Sequence, residues 1–77
     1  SATLSSTFSF AGLETLHIAG RDVLCNVWQE EVTSTLPEKQ WQNTFWVDSA
    51  TGQVRQSRQM LGAGVIPVEM TFLKPAP

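Results

Sequence analysis

The stretch QNTFWVDSATGQVRQSRQ, residues 42–59, decides the fold of this chain, because it has the composition of two β-strands joined by a tight turn. Its first arm, TFWV, is aromatic and β-branched, which suits a pleated, half-buried surface. Asp48 can accept hydrogen bonds from backbone N–H groups two residues on, and Gly52 can adopt the positive φ that closes a hairpin loop. We therefore predict strands over 44–48 and 53–59, with a turn from Asp48 to Gly52.

Alternating apolar residues on both sides of this hairpin predict further strands and no helix. We expect strands over 7–11, 13–18, 22–33 and 66–73, with a bend at Ala11-Gly12, a loop over 34–40 and a glycine-rich connection over 61–64. Short connections between about six strands favour an all-β antiparallel meander. A flat sheet of this size would expose one apolar face and its edges. We therefore expect it to curl into a small barrel, half-barrel or sandwich, or to pack against something outside these 77 residues.

The longest predicted strand, over 22–33, carries apolar residues on both of its faces. Alternation places one set on one face and a second set on the other: Val23, Cys25 and Val27, then Leu24, Trp28 and Val32. This pattern predicts a central strand that is covered on both sides at its start.

Length and composition bound the class of protein. With 77 residues and 42% hydrophobic residues, the chain is one domain, 1–77, or a fragment of one, and its start at Ser1 rather than Met indicates a processed or excised piece. No apolar run approaches the roughly 20 residues that span a membrane, so we expect no transmembrane segment. The net charge is −2 and the five basic residues are dispersed, so we expect no nucleic-acid partner.

Few side chains in the chain could support catalysis or bind a metal. Cys25 is the only cysteine and His17 the only histidine, so an intramolecular disulfide and the common zinc sites are excluded. We expect Cys25 to be a buried, inert thiol. Glu30 and Glu31 are adjacent and would point to opposite faces of a strand, so they form no carboxylate pair. The sequence predicts no catalytic residue, no metal and no cofactor, and a protein that is not an enzyme.

Three residues are candidates for contact with a partner. Arg55 and Arg58 are three apart, which places them on opposite faces of a regular strand, and the one that points inward needs an acidic or carbonyl partner. Trp46 is predicted to be core, whereas Trp41 lies at the border of loop and strand and is the best candidate for an exposed aromatic residue. Trp41, Arg55 and Arg58 are therefore the predicted contact residues, because interfaces favour Trp and Arg as anchors. The alternative for the arginines is a structural role, including protection of a sheet edge.

Several short motifs occur together in the last two thirds of the chain: Trp46-Val-Asp48, Thr51-Gly-Gln-Val54, Ser57-Arg-Gln59, Leu61-Gly62, Pro67-Val-Glu69 and Leu73-Lys-Pro75, with Gly20-Arg-Asp22 and Trp28-Gln-Glu30 upstream. Together they resemble the C-terminal part of the YjbF/GfcB lipoproteins of group 4 capsule and exopolysaccharide gene clusters. The resemblance implies a β-rich, non-catalytic accessory of polysaccharide export, periplasmic or associated with the outer membrane. A protein partner or self-association is expected, and polysaccharide is a possible partner.

A second similarity runs through Phe10-Ala-Gly-Leu-Glu-Thr15, Ala19-Gly20 and the hairpin. These residues resemble periplasmic lipoprotein carriers such as LolA, whose curved half-barrel holds acyl chains against an aromatic concave face. This similarity implies one alternative to an export accessory, a carrier of an apolar ligand. A further alternative is a subunit of a surface assembly, in which neighbouring copies cover the exposed sheet face. A large apolar concavity would favour the carrier, and a flat apolar patch would favour an interaction module.

Overall fold

The computed structural model describes residues 3–60 and the backbone of residues 67–71. These residues form five strands: β1 (Leu4–Ile18), β2 (Arg21–Thr35), β3 (Glu38–Asp48), β4 (Val54–Met60) and β5 (Pro67–Thr71). The strands lie in one sheet in the order β1-β2-β3-β4-β5, and each pair of neighbours is antiparallel. The predicted all-β antiparallel meander is confirmed, and with it the hairpin of β3 and β4.

The described residues form five strands instead of about six, because the bend predicted at Ala11-Gly12 is a β-bulge within one strand. The predicted strands over 7–11 and 13–18 are one continuous strand, β1, whose register with β2 shifts between Phe10 and Gly12. Gly12 has a φ of 117°, a conformation that side chains disfavour, so the bulge absorbs the irregularity and pairing continues. The predicted loop over 34–40 was also wrong, because β2 runs to Thr35 and β3 begins at Glu38.

The described strands form an open sheet with β1 and β5 at its two edges. The predicted barrel, half-barrel or sandwich is therefore not confirmed within residues 3–60 and 67–71. The predicted last strand agrees with β5, and its residues 66, 72 and 73 lie outside the described residues, as does the predicted connection over 61–64.

The sheet has two faces of different chemistry. One face, here called the core face, carries a small hydrophobic cluster of Cys25, Val27 and Trp46, with Leu16 and Val23 packed against it. The opposite face, here called the aromatic face, carries a larger apolar set: Phe8, Phe10, Leu13, Leu24, Trp28, Phe45, Val47 and Val54. The residues of β2 therefore alternate between the two faces as the sequence predicts.

The aromatic face is left exposed where β2 begins, although Val32, Asn43 and Ser57 are buried farther along it. In β2, Cys25 is 0% and Val27 is 8% exposed, whereas Leu24 is 48% and Trp28 is 37% exposed. The expectation that β2 is covered on both sides was therefore wrong for this part of the chain. The physical reason is that the described strands form a single layer, so the aromatic face has no second layer against it.

Candidate functional site

The turn between β3 and β4 is organised by Asp48. Its Oδ1 accepts hydrogen bonds from the backbone N–H groups of Ala50 at 2.8 Å and Thr51 at 3.3 Å. The N–H of Gly52 donates to the Asp48 carbonyl oxygen at 2.8 Å, and Gly52 has a φ of 77°. The predicted turn chemistry is confirmed at both of its key residues.

The second carboxylate oxygen of Asp48 is bound by Arg55. The Arg55 Nε donates to Oδ2 at 3.0 Å and Nη2 lies 2.9 Å from the same oxygen. The two side chains are only 12% and 8% exposed, so the ion pair is shielded from water. The Ala50 N–H, followed by the Arg55 hydrogen bond and the Thr51 N–H, lowers the pKa of Asp48 despite the opposing effect of burial.

A bulge in β4 explains how Arg55 reaches this position. Trp46 pairs with Gln56 and Val47 pairs with Val54, so Arg55 is the extra residue between them. Arg55 therefore reaches Asp48 on the core face, while Arg58 is exposed opposite Thr44 on the same face. The predicted placement of the two arginines on opposite faces was wrong because of this bulge, and the predicted acidic partner for one of them is confirmed.

Cys25 lies in the hydrophobic cluster beside this ion pair. It is fully buried, and its Sγ donates to the Val23 carbonyl oxygen at 3.6 Å. Burial, then the negative charge of Asp48, raises the pKa of the thiol. Trp46 covers the cluster, and its indole Nε1 donates to Glu14 Oε2 at 3.0 Å across the intervening strand. The predictions that Cys25 is buried and that Trp46 is core are confirmed, whereas the inertness of the thiol stays a prediction.

Beyond the cluster, the core face presents hydrogen-bonding side chains. The carboxylate of Glu31 accepts hydrogen bonds from the side-chain amides of Gln40 and Gln42, the second at 3.5 Å. A shallow depression of about 310 Å³ is lined by hydroxyl and carboxylate groups: Ser5, Thr7, Ser9, Glu31 and Thr33. This half of the face can donate and accept many hydrogen bonds, which suits a hydroxyl-rich polymer or a polar protein surface.

The aromatic face carries the large exposed side chains. Phe8 is 56% and Phe10 is 55% exposed. Phe8 packs on Phe45 with ring centroids 6.2 Å apart, and Phe10 packs edge-on to Trp28 at 5.4 Å. An open apolar depression of about 320 Å³ lies among five side chains: Phe8, Trp28, Phe45, Val47 and Val54.

The aromatic residue that the sequence predicted to be exposed was Trp41, not Phe8 or Phe10. Trp41 is half-buried and lies opposite the buried Val32. The alternation of Phe8 and Phe10 was visible in the sequence, but it predicts only that the two rings share a face. Whether that face is covered depends on the number of layers in the fold.

The remaining titratable side chains of the described residues form few groups. Within residues 3–60 no three His, Cys, Asp or Glu side chains are grouped as a metal site. His17 Nδ1 in β1 contacts the carboxylate of Asp22, its exposed partner in β2, next to the turn that joins the two strands. No helix in the described part of the chain is long and apolar enough to cross a bilayer.

Comparison with known families gives a match along nearly the whole chain. The family model described as "Group 4 capsule polysaccharide lipoprotein gfcB, YjbF" matches residues 1–73. The match includes both the hairpin and the upstream strands, so it extends beyond the last two thirds of the chain that carry the sequence motifs.

Individual relatives agree with this match. The chain is 96% identical over 77 residues to "Uncharacterized lipoprotein GfcB" and 39% identical over 75 residues to "Uncharacterized lipoprotein YjbF", both of Escherichia coli K12. It covers 36% and 34% of those proteins, so the chain spans about a third of the relatives' length. A crystal structure of the hypothetical lipoprotein YmcC from the same organism superposes with a TM-score of 0.88 at 96% identity, covering 97% of this chain and 40% of that one.

Proposed function

This chain belongs to the YjbF family, and on that premise we propose that it is a non-catalytic accessory of capsule or exopolysaccharide export that works by contact. The family description and the names of its relatives support a role connected with capsule polysaccharide in the cell envelope. We place the protein in the periplasm or at the outer membrane, in keeping with its relatives' description as lipoproteins.

The observation that carries the proposal is the polar half of the core face. Its side chains project from three paired strands, and the Glu31 carboxylate is held by Gln40 and Gln42 before any partner arrives. Side chains on strands lose less conformational freedom on binding than side chains on loops, which favours contact with a partner. Adjacent hydroxyl, amide and carboxylate groups can pair with the hydroxyls of a polysaccharide or with a polar protein surface.

Of the three predicted contact residues, Arg58 fits this surface best. It is exposed on the core face beside Thr44. The guanidinium group of Arg55 is bound to Asp48, so a partner would have to compete with a shielded ion pair. Trp41 is half-buried and lies on the aromatic face, opposite Val32, so it would meet a partner on the other side of the sheet. We retain all three as proposed contacts, and expect Arg58 to contribute most to contact at the core face because it is exposed there.

A charge reversal at Arg58 tests the proposal in cells that make a group 4 capsule. The full-length protein carrying Arg58→Glu should restore less surface capsule than wild type to a strain lacking the gene. Arg21→Glu is the matched control, because Arg21 is also exposed but lies in the distant turn region between β1 and β2, and the net charge changes equally. Full capsule with folded Arg58→Glu protein would remove Arg58 from the proposal. Normal capsule in the strain lacking the gene would refute the export role itself.

The second candidate function is a carrier of an apolar ligand, and the depression on the aromatic face favours it. Its volume of about 320 Å³ is at the lower end of small-molecule pockets, and its lining is apolar. Mass spectrometry of organic extracts from purified full-length protein tests this candidate. Stoichiometric lipid would support a carrier, and its absence from protein purified without detergent would exclude one.

A further inference from the structure

The aromatic face has the side chains of a hydrophobic core but leaves several of them exposed to solvent. Phe8, Phe10 and Trp28 are 56%, 55% and 37% exposed. At about 200 Å² for a whole aromatic side chain, these fractions leave roughly 300 Å² of aromatic surface open. Leu13 and Leu24, 63% and 48% exposed, extend the same patch. With these two leucines the patch exceeds the few hundred Å² that a monomeric protein commonly exposes, and patches larger than that mark contact surfaces.

The composition of the patch indicates a permanent cover. Interfaces that form and separate are about as polar as the rest of a protein surface. Asp22 and Lys39 lie at the two ends of the aromatic face. Between them the charged residue is Glu30, which lies opposite Phe8 and already accepts a hydrogen bond from Asn43 at 3.0 Å. Such a surface resembles half of a domain core, which favours an apolar occupant over an acidic polymer.

The core face is the less suitable place for a second layer. Its cluster is already closed by the Trp46–Glu14 hydrogen bond and the Asp48–Arg55 ion pair, and its remaining half is polar. A stable domain needs two packed layers around a core. The second layer therefore belongs on the aromatic face.

The family proteins contain enough chain to supply this layer. The YjbF-family relatives extend well beyond the matched part, which is 36% of GfcB and 40% of the crystallised YmcC chain. The YmcC structure keeps the same sheet within the longer chain, as the TM-score of 0.88 shows. We infer that, in a chain of the relatives' full length, the segment outside these 77 residues packs on the aromatic face and buries Phe8, Phe10 and Trp28.

Neighbouring residues of β1 supply a matched pair for the test. Phe10 and Ser9 are both exposed in the described chain and lie on opposite faces of the same strand. In full-length, monomeric protein purified free of lipid, we compare maleimide labelling of Phe10→Cys with that of Ser9→Cys. We expect Phe10→Cys to react at least tenfold more slowly, because labelling would require local opening of the two layers. The buried Cys25 thiol is expected to label only after unfolding, and a urea unfolding curve verifies independently that each variant is folded.

Each alternative occupant gives a distinct result. Equal labelling of the two variants in folded protein would overturn the inference. Protection that requires added phospholipid vesicles would overturn it in favour of an apolar ligand, and protection only at high protein concentration would overturn it in favour of a second copy. If Phe10→Cys does not fold, Phe8→Cys with Thr7→Cys provides the same comparison two residues away, on the same two faces. None of these results depends on the capsule assay for Arg58.

Discussion

Replacement of Gly52 by valine should destabilise the protein through the backbone alone. Gly52 has a φ of 77°, in the left-handed region that L-residues disfavour. A Cβ built at this position meets no atom within 4 Å, so no steric clash with neighbouring side chains contributes. The turn cannot easily relax, because the Gly52 N–H and the Asp48 carbonyl oxygen form a hydrogen bond that closes it.

The expected magnitude follows from two opposing effects. Forcing a β-branched residue into this conformation costs about 1–3 kcal/mol. Valine also restricts the unfolded chain, which offsets roughly 0.4–1 kcal/mol of that cost. We therefore expect Gly52→Val to lower the free energy of unfolding by about 1–2 kcal/mol. Gly52→Asn should lose less, because asparagine enters the left-handed region more readily.

Urea unfolding followed by tryptophan fluorescence measures the difference, with Gly52→Asn and Gly52→Ala as companions. The order of stability should be glycine, then asparagine, then alanine, then valine. An equal loss for valine and asparagine would show that tolerance of the positive φ does not determine the cost. A valine variant as stable as wild type would refute the turn described here.

Three further predictions concern the core face. The pKa of Asp48 is lowered in the folded protein, so its stabilising effect should be present at neutral pH and disappear as the pH falls below the usual aspartate value of about 3.9. Arg55→Met should weaken that acid dependence in urea titrations from pH 7 to pH 3. The Cys25 thiol should react with maleimide at least about tenfold more slowly in native than in urea-unfolded protein, since it is buried and its pKa is raised. Trp46→Phe should cost about 1 kcal/mol or more in unfolding free energy, because it removes the hydrogen bond to Glu14. Glu14→Met removes only the acceptor, so a Glu14→Met variant as stable as wild type would assign the loss to packing instead.

Local chemistry accounts for the features that were predictable from residues 42–59. Asp48 and Gly52 have few conformations that satisfy both a turn and the flanking alternation, so the hairpin follows from neighbours in sequence. The burial of Cys25 and Trp46 was predictable from residue type, since a free cysteine is among the most buried residues and aromatic residues dominate small cores. The resemblance to the family was also visible in the sequence, because the motifs that carry it lie in and around this hairpin.

What the tertiary structure alone decided depends on residues far apart in the chain. The extra residue at Arg55 moves its side chain to Asp48, and the glycine at position 12 keeps β1 continuous; neither bulge can be placed without knowing the register of the paired strand. The exposure of Phe8 and Phe10 could not be predicted from the sequence either. The sequence by itself determined that the two rings share a face, because alternation is a property of one strand. Only the packing of layers decides whether a face meets water or protein, because burial is a property of the whole fold.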